Sequence, residues 1–336
     1  MRALVYSDWE TLQMADVPMP EPAPGEVLVR VQAAGICGSE LEAVRKHSPR
    51  RPPPLILGHE FTGVIEATGE GVKEWNEGDE IVANAVIADG RCPSCRRGDT
   101  HLCLHRQLFG MHRPGAFAEY VTVPAVALIK RPAGVVPAAA ALTEPLANGV
   151  HIAGLLADRE PETVVVFGAG PIGLLTMQVL RHRFGCKVAV IDQSLARLVL
   201  AQKLGAEAIF EPSDHGPIHL WAGELGIDAT VDAVGAGSTK ADSITFLRPG
   251  GTAVWIGLHE NTSPLNAYDL ILPEKRLLGS YACTQPELAE ALALIADSVI
   301  DVSSWTTKYP LGESEQAFKD MLEPGPGDVK GVIVMI

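Results

Sequence analysis

Residues 163–173 read TVVVFGAGPIG, and no other stretch constrains the fold as tightly. Val164, Val165, Val166 and Phe167 form an unbroken apolar run, the pattern of a strand covered on both faces. The run ends in Gly168, Gly170 and Gly173, and PIGLLTMQVLRHRFG (171–185) follows with helical patterning. Further strand-like stretches are KVAVID (187–192), EAIF (207–210), DATVDAV (228–234), TAVWIG (252–257) and RLLGSYA (276–282), with a helix from Ser194 to about Leu204. Strands alternating with helices predict βαβ units and an α/β domain built on a doubly wound parallel sheet.

The glycines also predict a ligand. In the order strand, turn, helix, a G-x-G-x-x-G pattern lets the backbone approach a pyrophosphate at the positive helix end, where Pro171 and Ile172 complete the turn. An acidic residue is expected at the end of the second strand, and Asp192 lies there, 24 residues after Gly168. A carboxylate at that position accepts hydrogen bonds from the adenosine ribose and repels a 2′-phosphate, which favours NAD over NADP. Arg197, in the next helix, is grouped with these cofactor-binding residues. The competing reading is a plain βα turn with a helix-capping Asp.

The first part of the chain has a different grammar. RALVY (2–6), EVLVRVQAAG (26–35), TGVIEATGEGV (62–72) and GDEIVAN (78–84) read as short strands broken by Gly and Pro, a pattern of small barrels or sandwiches. VPMPEPAPG (17–25) is a rigid connector. Near the other end, QPELAEALALIADS (285–298) reads as a helix and KGVIVMI (330–336) as a strand. With 336 residues the chain is long enough for two domains. The boundaries drawn from these patterns are residues 1–145 with 283–336 for the first domain and 146–282 for the second.

A formal net charge of −14 argues against a nucleic-acid surface, which needs Lys and Arg against phosphate. The most apolar stretch, residues 133–157, is broken by Pro137, Glu144, Pro145, Asn148 and His151, which excludes a membrane span. The start, MRALVYSDWE, lacks a secretory pattern, so a cytoplasmic location is expected. Of six cysteines, three crowd between positions 92 and 103, which in a reducing compartment points to metal before disulfide.

Those three belong to the run Asp89, Cys92, Cys95 and Cys103, spaced as in a small closed zinc lobe. Asp89 stands where a fourth ligand completes the spacing, with His101 and His105 as alternatives. A second group of metal-binding residue types is Cys37 in GICGSE (35–40) and His59 with Glu60 in GHEFTG (58–63). Glu144, in LTEPLANG (142–149), adds a carboxylate at the junction of the two sequence patterns.

Taken together, GEVLVRVQAAGICGSE, LILGHEFTGVI, the cysteine run, GAFAEYVTVP (115–124), VFGAGPIGLL and DAVG (232–235) resemble the zinc-containing medium-chain dehydrogenase/reductases over essentially the whole chain. The resemblance implies a GroES-like catalytic domain, completed by the C-terminal segment, and a Rossmann domain that binds NAD. It implies catalytic zinc held by Cys37 and His59, with Glu60 ligating or standing behind it, and a structural zinc at Asp89, Cys92, Cys95 and Cys103. Glu144 occupies the place of a further zinc ligand, and its Glu-Pro-Leu context resembles the polyol, threonine and sugar-phosphate branch. Ser39 matches the first proton acceptor from a substrate hydroxyl, and Glu40 a residue that orients His59. Asp89 departs from the usual cysteine, and Glu42 stands where many relatives carry a histidine.

The implied activity is hydride transfer from a secondary alcohol, such as a polyol or sugar alcohol, to NAD. The alternatives are a sugar-phosphate or L-threonine dehydrogenase, a zinc-free reductase of the same superfamily, or a non-catalytic NAD-binding regulatory protein. A homodimer or homotetramer acting on a small molecule is expected. Arg45, Lys46, Arg50 and Arg51 in VRKHSPRRPPP (44–54) read as a solvated basic loop, with an anionic substrate as the second reading.

Overall fold

The computed structural model describes residues 1–263, 265–325 and 327–335. The chain forms two compact units, Met1–Ala147 with Ala282–Ile336 and Asn148–Tyr281, and the division falls inside the helix Thr143–Leu156.

The first unit is organised by the strand Glu26–Gly35, whose alternating Val27, Val29 and Val31 are buried. It pairs antiparallel with Glu60–Thr68, with Tyr120–Pro124 and, near its end, with Lys330–Val334. Glu80–Ala83, Leu128–Lys130 and Thr306–Pro310 complete a seven-stranded sheet. The C-terminal strand is therefore an interior strand of the sheet on which the N-terminal motifs stand. Phe61, Phe109, Phe117 and Phe318 fill the core beside it. A separate hairpin, Val86–Ile87 with Gln107–Leu108, pinches the base of the cysteine-bearing loop.

One strand start differs from its sequence reading in a consequential way. The strand read from Thr62 begins at Glu60, directly after His59, because Glu60 already pairs opposite Gly35. The glycine is required there: a Cβ on Gly35 would overlap the Glu60 carboxylate.

The second unit is a six-stranded parallel sheet in the order Ala208–Phe210, Lys187–Ile191, Thr163–Phe167, Ile227–Asp232, Leu247–Trp255, Arg276–Gly279. Numbered along the chain this order is 3-2-1-4-5-6, the doubly wound Rossmann arrangement. Every residue of Thr163–Phe167 is buried, as an interior strand of a sheet covered on both faces demands. The helix Pro171–Phe184 starts at the glycine turn and ends at Gly185, whose left-handed φ of 63° provides its C-cap. Among the described residues no helix is long and apolar enough to cross a membrane.

Candidate active site

Three of the expected metal-site residues converge in the first unit. One ligand atom each from Cys37, His59 and Glu60 lies within 4.8 Å of the others. Cys37 caps the helix Gly38–Lys46, and His59 and Glu60 lie where a loop runs into the strand Glu60–Thr68. His59, Glu60 and the nearby Glu40 are all buried.

Glu40 ties the two loops together. Its Oε1 accepts from the Gly58 N–H at 2.8 Å and lies 2.8 Å from His59 Nδ1, while its Oε2 accepts from the Cys37 N–H at 3.0 Å. Burial works against charge on Glu40, yet His59, Arg51 and the Cys37 N–H outweigh it and hold the carboxyl below its usual range. Burial likewise opposes charge on His59, but Glu40 and Cys37 raise its pKa well above the ordinary histidine value. The surroundings thus favour positive charge between Cys37 and Glu60. Thiolate, imidazole and carboxylate form a zinc donor set, and the residues fit that ion.

A residue that sequence reasoning missed completes the cluster. Lys330, on the C-terminal strand, is 2% exposed; its Nζ lies 2.5 Å from Glu60 Oε2 and donates to the Ile36 carbonyl at 2.8 Å. Burial works to strip its proton, but Glu60 outweighs that and raises its pKa. No local pattern marks this lysine, because its partner is 270 residues away in the chain.

Ser39 Oγ donates to Cys37 Sγ at 3.3 Å. Glu144, expected among the ligands, is not in the cluster. It is buried in the first turn of the helix Thr143–Leu156 and acts electrostatically on the buried Cys283 thiol. Its helix, rather than either ligand loop, sets its position. Glu42 pairs with Lys46 on the same helix at 3.2 Å.

Arg45, Lys46 and Arg50 of the basic loop are exposed, as a solvated loop implies, and Arg51 alone of the four departs from that reading. Arg51 is buried, its Nε donating to the Gly110 carbonyl at 3.0 Å and its Nη1 to the Ser39 carbonyl at 3.1 Å. Arg45 donates to the Leu322 carbonyl, and Arg50 is exposed. The clustering of charge in sequence says nothing about which arginine meets buried carbonyls.

The cysteine loop gathers a second donor set, with one ligand atom each from Asp89, Cys92, Cys95 and Cys103 within 4.8 Å of the others. His101 and His105 are outside it. Asp89 Oδ1 accepts from the N–H groups of Cys92 and Arg91, both at 2.9 Å, which hold its carboxyl below the usual range. Asp89 Oδ2 is buried without a hydrogen-bond partner. Backbone N–H groups of Cys95 and Leu104 bring the Cys92 thiol down to about 7. Three sulfurs and an orphaned carboxylate oxygen suit a four-coordinate zinc.

In the second unit the glycine turn has the shape that a pyrophosphate needs. Gly168 has a φ of 96°, a Cβ on Gly173 would overlap the Gly168 carbonyl, and a Cβ on Gly170 would meet nothing within 4 Å. Gly170 caps the helix Pro171–Phe184, with Pro171 and Ile172 in its first turn. Asp192 bridges two segments: Oδ2 accepts from the Ala169 N–H at 2.7 Å and Oδ1 from the Ser194 N–H at 2.8 Å. Ser194 caps the next helix through the Arg197 N–H.

Residues 23–133 match the alcohol dehydrogenase GroES-like domain and residues 171–297 the zinc-binding dehydrogenase domain. The L-threonine 3-dehydrogenase of Deinococcus radiodurans is 30% identical over 98% of this chain and 97% of its own length. The chain belongs to the zinc-containing medium-chain dehydrogenases. Among solved structures, a short chain alcohol dehydrogenase of Escherichia coli CFT073, complexed with NADH, is similar throughout. It shares 27% identity at a TM-score of 0.93, with 100% of this chain and 99% of that one covered. Galactitol-1-phosphate dehydrogenase of Escherichia coli is 26% identical at a TM-score of 0.92, covering 99% of this chain and 100% of that one. As a medium-chain dehydrogenase the chain is an oxidoreductase that acts on a small-molecule alcohol with zinc and NAD.

Proposed function

We propose that this dehydrogenase oxidises a secondary hydroxyl of a polyol, sugar alcohol or related hydroxy compound, with Cys37, His59 and Glu60 as its metal site. The observation that carries this reading is the cluster of half-buried Cys37 with buried His59 and Glu60, with Glu40 behind it, on the same chain as a pyrophosphate-shaped glycine turn. Bound zinc supplies a Lewis acid for the hydroxyl oxygen, and bound NAD supplies the hydride acceptor.

The protein's own residues supply position and proton transfer. Glu40 keeps the proton of His59 on Nδ1, which leaves Nε2 with a lone pair for the metal. Ser39 accepts the hydroxyl proton as it passes its own on to water or the ribose, while Lys330 neutralises Glu60. Glu144 serves from outside the cluster as a further carboxylate of the site. Asp89, Cys92, Cys95 and Cys103 hold a structural zinc. Gly168, Gly170, Pro171, Ile172 and Gly173 receive the pyrophosphate; Asp192 receives the adenosine ribose, with Arg197 one turn beyond.

L-threonine is the second substrate reading, supported by the identity with L-threonine 3-dehydrogenases. A sugar phosphate has less support, because Arg45, Lys46 and Arg51 of the basic loop have partners within the protein. Zinc-loaded protein offered polyols, hexitol phosphates and L-threonine with NAD should form NADH fastest with an unphosphorylated polyol. NAD binding without NADH formation from any of them would favour a regulatory protein.

Assembly into a homodimer or homotetramer is part of the same proposal. The strand Arg276–Gly279 ends the parallel sheet, and the preceding helix Ala267–Ile271 exposes Tyr268 and Ile271. An open apolar edge favours pairing with a second copy, and sedimentation would read the mass. A cytoplasmic location agrees with six free cysteines.

A further inference from the structure

Arg51 lies on neither ligand loop, yet it reaches both. Its Nη1 holds the carbonyl of Ser39, in the turn between Cys37 and Glu40, at 3.1 Å. Its Nε holds the carbonyl of Gly110 at 3.0 Å, and Gly110 packs so closely on the other loop that a Cβ there would stand 3.0 Å from the Gly58 nitrogen. Gly58 immediately precedes His59. Arg51 is 4% exposed and close enough to act on the Glu40 charge. Such a fork is too costly to bury merely as a surface anchor: an unpaired cation in that place would lose several kcal/mol of hydration.

We propose that Arg51 is a positioning residue of the metal site, a two-pronged clamp that holds the segments 37–40 and 57–60 in register. This rests on the reading of Cys37 and His59 as zinc ligands. The clamp acts through main-chain carbonyls, so Ser39 and His59 are aimed by it without touching it through their side chains. Lysine in its place would keep the charge but present a single ammonium rather than a planar fork.

The test compares zinc-loaded wild type with R51K and R51M. Zinc transfer to a chromophoric chelator is followed, and the phase belonging to this site is the one missing in C37S. R51M should release that zinc about 10–100 times faster, the usual range for residues that orient a ligand, with R51K intermediate. NAD affinity should stay unchanged. In turnover, kcat should fall in R51M, and the S39A/R51M double variant should lose less than the product of the two single losses. Because R51K retains charge and length, it keeps the test alive if R51M fails to fold. Zinc release within about twofold of wild type in R51K and in folded R51M would overturn the clamp. A lower melting temperature with unchanged release would also overturn it. The release measurement needs no substrate, so a chain inactive on every alcohol but leaky in R51M would refute the catalytic reading and leave the clamp standing.

Discussion

The carboxylate of Glu40 lies 2.8 Å from Nδ1 of His59, with Glu40 fully buried and His59 only 6% exposed. The same carboxylate holds main-chain N–H groups of both ligand loops, so one side chain fixes the tautomer of His59 and the separation of Cys37 from it. A carboxylate behind a ligating imidazole raises its basicity and restricts its rotation.

Glu40→Gln should therefore weaken zinc binding and turnover by about 10–100-fold while preserving the fold. Chelator competition and circular dichroism measure the two. Cys37→Ser and His59→Ala, which remove ligands, should abolish nearly all turnover and leave NAD affinity largely intact. Full activity in a zinc-free variant would refute the assignment.

Lys330 and Glu60 form a buried pair, and breaking one partner leaves the other charge unsolvated. Lys330→Met should cost about 3–5 kcal/mol in urea unfolding, whereas the double change with Glu60→Gln should recover much of it. The pH dependence has a definite sign. The folded-state pKa of Lys330 is raised, so its contribution is complete below the ordinary lysine range and is lost as pH rises through the raised value. A double-variant loss equal to the sum of the two single losses would show that the pair is not coupled.

Asp192 anchors the Ala169 N–H, and in the proposed cofactor site it also receives the adenosine ribose. Asp192→Ala should weaken NAD binding and narrow its advantage over NADP, since the charge that repels a 2′-phosphate is gone. Fluorescence titration with both nucleotides reads the ratio. A wild type that prefers NADP would contradict this role.

In the cysteine loop, a carboxylate is a harder ligand than the thiolate it replaces, so the site should surrender zinc sooner than a four-cysteine site. Asp89→Cys should slow loss to a chelator, and Asp89→Ala should lower the melting temperature before it changes the chemical step. Metal analysis should find about two zincs per chain. One zinc, with Cys92, Cys95 and Cys103 freely titratable in the native protein, would show an empty loop.

The sequence by itself determined what depends on near neighbours. An apolar run into GAGPIG makes a buried strand, a tight turn and a helix start wherever it occurs, because its hydrogen bonds and sterics are local. The CPSC stretch and the strand EVLVRVQAAG were legible for the same reason. Asp192 was legible too, since a strand end at a fixed interval after the glycines has only one place in a βαβ unit. The tertiary structure alone decided which charges are buried and against what. Glu60 meets Lys330 because the last strand returns beside Gly35. Arg51 looked like one basic residue among four, yet it is the one turned inward onto the carbonyls of Ser39 and Gly110. Burying a charge is tolerable only where partners distant in sequence replace its water, and local patterns carry no record of those partners.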